Sequence, residues 1–160
     1  MNANKNYRLD GLLDEIVSRI FIQETVVLLD KTMTEHFRRE EERAGKRAGG
    51  EEDYDEGVEE QLEDEDDEDV YILSKVGDVI HAMFVTHGEG FLPAFERLLP
   101  LFSRLLEPTR PWSDLQWGLC IFDDLIEYTG ELSFHYYLAA SKYLVNRKIS
   151  NPTIFLLIVF

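Results

Sequence analysis

Three carboxylates lie close together in the stretch RPWSDLQWGLCIFDDLIEY: Asp123, Asp124 and Glu127. On a helix, Asp123 and Glu127 would lie one turn apart, where carboxylates can hold a divalent cation such as Mg²⁺. Without a cation these two like charges repel each other by roughly 0.2 to 0.5 kcal/mol. They then need positively charged side chains nearby, either from the same chain or from a basic partner protein. The candidates within the chain are Lys142, Arg147 and Lys148.

The metal interpretation would make the chain a Mg-dependent lyase that uses the DDxxE pattern. Helical lyases of the terpenoid synthase type have a similar motif, but they also need a second acidic motif, which this sequence does not contain. His81 and Asp78 lie one helical turn apart without a third ligand or nucleophile, and Cys120 has no basic neighbour in sequence to activate it. We therefore expect a binding protein rather than an enzyme, with no catalytic residue, metal or cofactor, and keep the lyase as an alternative.

A second group of carboxylates fills residues 51–69, EEDYDEGVEEQLEDEDDED. This stretch has fourteen acidic residues and no basic one, and the chain as a whole has a formal charge of −16. Such a charge repels phosphate backbones and argues against nucleic acid as a partner. The stretch has few apolar residues to offset the entropy of ordering, which predicts a flexible, solvated insertion that attracts basic proteins. The candidate contacts within it are Asp53, Asp55, Glu56, Glu65, Asp66 and Asp67.

The elements that position these carboxylates follow from the spacing of apolar residues. That spacing predicts helices over residues 70–85 and 91–106 and a fourth helix that begins after Trp112, and the composition, without proline, favours a helix over residues 9–44. The chain then divides into an N-terminal helical segment, the acidic insertion, a central pair of helical repeats, and a final helix with an apolar tail. The boundaries of these four segments are 1–44, 45–69, 70–131 and 132–160.

The start of the fourth helix carries a capping pattern. Ser113 and Gln116 have the spacing of a capping box, and Trp112 and Trp117 have the spacing of a hydrophobic staple. This motif predicts that the two tryptophans fix the entry of the helix rather than stack on a ligand. Two apolar stripes cover the flanks of the same helix. The strip left between them for water or a partner consists of Gln116, Cys120, Asp123 and Glu127, with Asp124 at its border.

A helical hairpin recurs along the chain. Gly88-Glu89 returns as Gly130-Glu131, 42 residues later, and apolar positions recur at the same offset. Hairpins with a period of about 40 to 47 residues are typical of HEAT and armadillo arrays, in which each hairpin buries its apolar faces against its neighbours. We therefore predict an all-α, right-handed HEAT-repeat solenoid segment of about two hairpins, followed by a terminal helix that begins near Leu132.

The ends of the chain and its single cysteine suggest where the protein resides. The N-terminus lacks the basic start and unbroken apolar run of a signal peptide, and one cysteine permits no internal disulfide. The apolar stretch TIFLLIVF, residues 153–160, is far shorter than the roughly 20 residues that cross a bilayer. We expect a protein of the cytoplasm and nucleus without a membrane partner.

Three long strings resemble the importin-β (karyopherin-β) superfamily of nuclear transport receptors. They are DYDEGVEEQLEDEDDEDVYILSKVGDVIH, FLPAFERLLPLFSRLLEP and RPWSDLQWGLCIFDDLIEY, and the likeness covers residues 34–134. The resemblance implies nuclear import: such a receptor wraps basic cargo proteins, contacts nucleoporins and releases cargo when it binds Ran-GTP. It also implies that the chain corresponds to a late HEAT-repeat segment, a fragment or a truncated copy of a receptor. The remaining alternative is a HEAT-type protein-binding scaffold that is not involved in transport.

Overall fold

The computed structural model describes the backbone of residues 3–49 and 56–136, and the side chains of residues 11–49 and 57–136. This part of the chain contains helices and 3-10 turns but no strand, which confirms the all-α prediction. Among the described residues, no helix has the length and apolar character that a membrane crossing requires. The helices are α1 (Ala3–Gly49), α2 (Glu56–His87), α3 (Leu92–Arg104) and α4 (Trp112–Thr129), with 3-10 turns at Gly88–Phe91 and Gly130–Ser133.

The helices form two layers. In one layer α2 packs along α4, and in the other α1 packs along α3. In the first layer His81 contacts Asp124, 43 residues later, and in the second Glu96 contacts Tyr136, 40 residues later. Contacts at a nearly constant offset close to the repeat period are what a stack of helical hairpins produces, because equivalent helices of successive hairpins lie side by side.

The two Gly-Glu turns have the same geometry. Gly88 has a φ of 50° and Gly130 a φ of 51°, and each opens a 3-10 turn of four residues. A positive φ is costly for any residue with a Cβ, so glycine is the residue that ends α2 and α4 in this way. The predicted repeat is thus present in the backbone as well as in the sequence.

The predicted number of about two hairpins stays a prediction, because the chain after residue 136 lies outside the described residues. The described residues contain one complete hairpin, α2 with α3, while α1 precedes it and α4 begins the next. Residues 134–136 are helical, in agreement with a helix that starts near Leu132, and the rest of that helix and the apolar tail lie outside the described residues. Helix α1 also continues beyond the predicted end at Ala44 and passes through Gly45.

The prediction of a flexible acidic insertion is wrong for the part of it that the structure describes. Residues 45–49 belong to α1, and α2 begins at Glu56 rather than near Val70, so most of the acidic stretch is helical. The reason lies in α1, where a row of arginines faces these carboxylates. Composition within the stretch could not reveal that partner.

The start of α4 also differs from the prediction. Pro111, with a φ of −55° and a ψ of 157°, is the N-cap residue, and no side chain caps the helix. Ser113 is therefore already inside the helix, and the predicted capping box and staple are wrong. Trp112 is exposed. Trp117 lies instead against α2, where its ring would come within 3.0 Å of a Cβ added to Gly77.

Phenylalanine rings form the centre of the core. Phe95 of α3 is completely buried, and its ring centroid lies 5.2 Å from that of Phe84 and 5.6 Å from that of Phe102. The ring of Phe122 on α4 lies edge-on to the ring of Phe95, with 6.3 Å between the two ring centroids. Rings from three helices thus meet around one side chain, and this contact holds the complete hairpin and the next helix together.

Candidate functional site

The carboxylate strip of α4 is open to solvent as predicted. Gln116, Cys120, Asp123 and Glu127 are exposed, whereas Leu115, Ile121, Phe122 and Leu125 on the other sides of the helix are buried. Asp123 and Glu127 form no ion pair with any other described residue. The three basic side chains named above as their internal partners lie outside the described residues, so this pairing stays a prediction.

Asp124 has a partner within the fold. Its Oδ1 lies 2.8 Å from Nδ1 of His81 on α2, and the side chain is only 17% exposed. The hydrogen bond to Asp124, together with its charge, raises the pKa of His81. Asp124 therefore links two successive repeats, whereas Asp123 and Glu127 make no such contact with the described residues.

The His81 link gives a pH-dependent prediction. A raised pKa in the folded state means that protonated His81 stabilises the contact below the ordinary histidine pKa of about 6.5, and that this stabilisation is lost as the pH rises through the higher folded pKa. Asp124→Asn should lower the pKa of His81 towards its ordinary value. An NMR titration of the His81 ring in both proteins measures the change, and an identical pKa in the two would contradict the link.

The acidic half of α2 is ordered by arginines of α1. Arg43 contacts both Asp69 and Asp66, with 2.6 Å between its Nε and Oδ1 of Asp66. Arg47 lies 2.9 Å from Asp66 and 3.2 Å from Glu59. Arg43 and Asp69 are both almost fully buried, and their charge-assisted hydrogen bond replaces the water that each loses. Intramolecular pairing of this kind explains why so acidic a sequence forms a helix.

The opposite face of the same half of α2 remains acidic. Its exposed carboxylates form no ion pair within the described part of the chain. Of the predicted contacts, Asp67 lies on this face, Asp66 is engaged with the arginines, and Glu65 accepts a hydrogen bond of 3.3 Å from Gln61. Glu56 lies in α2 without a described side chain, and Asp53 and Asp55 lie outside the described residues. The exposed carboxylates of this face are Glu60, Glu63, Asp64 and Asp67, whereas Glu68 is exposed beside the arginines of α1.

A buried polar cluster was missed by the sequence analysis. His36 of α1 is 3% exposed, and its Nε2 lies 3.2 Å from Oδ2 of Asp114 at the start of α4. Arg110 contacts Glu40 at 2.8 Å and Asp114 at 3.3 Å. Burial, and then the nearby Asp114 carboxylate, raise the pKa of Glu40. The cluster borders a cavity of about 320 Å³ and ties α1 to the start of α4.

A sequence signal existed for the buried charges beside this cluster, where α1 meets α2. On α1, His36 and Arg43 continue the stripe that begins with Val26, Leu29 and Met33, and on α2 Asp66 and Asp69 lie between the buried Leu62 and Leu73. Charged residues at core positions of a helix are almost never buried without a partner. The opposite signs on the two stripes could therefore have indicated that they meet.

Ligand atoms of His36, Glu40 and Asp114 lie within 4.8 Å of one another, close enough to share a metal ion. Arg110, however, contacts both carboxylates and already supplies positive charge there. The cluster is therefore described better as an ion-pair network than as a metal site. The DDxxE carboxylates of α4 are no better suited to lyase chemistry, because Asp123 and Glu127 lie on an open helix surface and Asp124 faces His81.

Two layers of helices, joined by equivalent turns and by contacts one repeat apart, define a HEAT-type helical-repeat protein. Residues 12–108, which include most of α1 and all of α2 and α3, match the family Importin repeat 6. The chain belongs to this family of importin repeats and so to the importin (karyopherin-β) receptors. Membership indicates a protein-binding transport segment rather than an enzyme. Helix α4, with its carboxylate strip, follows the matched region.

Proposed function

We propose that this chain is a HEAT-repeat segment of a nuclear import receptor that binds basic cargo proteins and moves between cytoplasm and nucleus. The observation that carries the proposal is the Importin repeat 6 match over the residues that form the complete hairpin and the helix before it. The three strings quoted above also resemble importin-5, also called Ran-binding protein 5. We propose that receptor type as the source of the segment.

The exposed carboxylates would act on cargo through long-range attraction. The chain has 32 acidic and 16 basic residues, and the arginines of α1 neutralise only the inner face of α2. The outer face of α2 and the strip of α4 belong to the same layer of helices and carry the unpaired charges. Complementary charge of this kind raises the association rate more than the final affinity, and its effect declines with salt.

Charge reversal tests the α4 strip. The double variant Asp123→Lys/Glu127→Lys should slow association with a lysine-rich cargo peptide by about tenfold at low salt, because the steering field is reversed where the peptide docks. At high salt the two proteins should differ little, because screening removes the field. Stopped-flow fluorescence with a labelled peptide measures both rates.

The matched control changes the net charge by the same amount at exposed positions of α1. Glu24→Lys/Asp30→Lys should leave the low-salt rate near that of the wild type. If both double variants slow binding equally, the strip is not a specific contact. If neither does and cargo is not captured at all, the alternative of a scaffold outside transport is favoured.

Ran and nucleoporins are further partners that the resemblance implies for complete receptors. We propose that Ran-GTP and nucleoporin repeats be tested directly against this chain by the same fluorescence method. Saturable binding of Ran-GTP, but not of Ran-GDP, would support the Ran-linked function for this segment. Absence of binding would restrict the proposal to cargo recognition.

A further inference from the structure

Side chains join α1 to α4 although the complete hairpin, α2 with α3, lies between them along the chain. His36 of α1 lies 3.2 Å from Asp114 of α4. Glu40 of α1 lies 2.8 Å from Arg110, in the turn before α4. In a stack of helical hairpins each unit normally contacts only its neighbours. These contacts instead span one complete hairpin, so they restrain the two helices on either side of it.

The side chains that make these contacts are shielded from water. His36 and Asp114 are almost fully buried, and Arg110 is 10% exposed. Exposed ion pairs contribute little to stability because water competes for the charges and salt screens them. Breaking a buried pair costs far more, because it leaves an uncompensated charge in the interior. The link between α1 and α4 should therefore stay closed unless one of its charges is removed.

Arg110 is the centre of this link. Its guanidinium lies 2.8 Å from Glu40 and 3.3 Å from Asp114, which places one positive charge between two carboxylates. Burial, and then the Asp114 carboxylate, raise the pKa of Glu40, as expected when two acids lie close together. The guanidinium also stacks on Phe37, 4.4 Å from the ring centroid, and this contact fixes its position. Without Arg110, α1 and α4 would face each other with two like charges.

The cavity of about 320 Å³ lies beside the link. Residues of α1, α2 and the start of α4 line it, among them His36 and Asp114. Protein interiors are close-packed, so the helices around a space of this size are held less firmly by packing than those around the phenylalanine rings of the core. Here the ion pairs, rather than tightly packed apolar side chains, determine the separation of α1 from α4.

We propose that His36, Glu40, Arg110 and Asp114 form a clasp that fixes the angle between α1 and α4, and with it the curvature of the helical stack over this segment. Opening the clasp would allow the end of α1 and the acidic half of α2, which the arginines join, to move together away from α4. Small hinge and shear motions of packed helices are a common form of conformational change. This inference does not depend on the proposed transport function.

A distance measurement tests the clasp. Spin labels on Lys46→Cys and on the native Cys120 report the separation of the end of α1 from α4, and both positions are exposed. Without a further substitution, pulsed electron paramagnetic resonance should give one narrow distance distribution. Arg110→Met removes the charge but leaves an unbranched side chain next to Phe37. It should shift the distribution to a longer mean distance and broaden it, because the two carboxylates then repel each other.

Arg104→Met is the matched control for Arg110→Met. Arg104 also stacks on Phe37, 4.0 Å from the ring centroid, and its guanidinium lies 3.1 Å from Glu41. These contacts join α3 only to α1, its neighbour in the same layer, so Arg104→Met should leave the distance distribution unchanged. An unchanged distribution in Arg110→Met, or an equal shift in both variants, would overturn the clasp.

A second variant decides the question if Arg110→Met loses its helical circular dichroism. Glu40→Gln/Asp114→Asn keeps the size of both side chains but removes both of the negative charges that hold Arg110. The variant should keep its helical signal and should also shift the distance distribution to longer values. A folded double variant with an unshifted distribution would show that these ion pairs do not fix the angle between α1 and α4.

Discussion

Asp69→Ala should lower the free energy of unfolding by about 3 kcal/mol, because it removes the buried carboxylate from the guanidinium of Arg43 and leaves only the partly exposed Asp66 as its partner. Asp69 contacts both Arg43 and Arg39, and its Oδ2 lies 3.9 Å from Nδ1 of His36. The side chains of Asp69 and Arg43 are 5% and 3% exposed, so little water can replace the lost partner. Urea denaturation followed by circular dichroism measures the loss.

Asp67→Ala is the matched control for Asp69→Ala. It removes the same charge from the same part of α2, but from its exposed face, and should change the free energy of unfolding by no more than about 0.5 kcal/mol. A large effect of Asp69→Ala beside a small effect of Asp67→Ala requires that the acidic half of α2 be docked on α1. Equal, small effects would instead support the flexible insertion expected from composition.

Phe95→Ala should destabilise the chain by about 3 to 5 kcal/mol through the loss of buried apolar contacts and the cavity that remains. The ring is completely buried and meets rings of α2, α3 and α4, so no single helix can move in to fill the space. Since a domain of this kind is stable by only about 5 to 15 kcal/mol, the change should be evident in the urea midpoint.

Phe134→Ala provides the comparison for Phe95→Ala. Phe134 is 60% exposed, and its loss should shift the midpoint only slightly. The comparison holds the chemical change constant and varies burial alone. If the two variants unfolded at the same urea concentration, the phenylalanine cluster would not be the centre of the core.

The helices and their turns could be predicted because the signals are local. Apolar residues three and four positions apart identify the buried face of a helix wherever it packs, as Phe95, Leu98 and Phe102 do on α3. The Gly-Glu turns also depend on a local property, the freedom of glycine to adopt a positive φ. The capping box at Ser113 failed because the extended Pro111 starts the helix earlier than that motif requires.

The candidate site was predictable to a smaller extent. The exposure of Asp123 and Glu127 followed from the apolar flanks of α4, a property of the same helix. The contact between Asp124 and His81 joins residues 43 positions apart and was not predicted, although both residues had been noted separately. The cluster around His36 was overlooked because its residues on α1 lie 70 or more positions from its residues in α4 and in the turn before α4.

The amino-acid sequence by itself determined that the chain is helical, where its equivalent turns fall, and which face of α4 stays open. Those features depend on neighbours within a few residues. Only the tertiary structure decided which carboxylates remain free for a partner and which are engaged inside the fold. An isolated carboxylate is most stable in water, but a carboxylate that forms an ion pair with an arginine of another helix can be buried. Whether that ion pair forms depends on how α1 and α2 pack together.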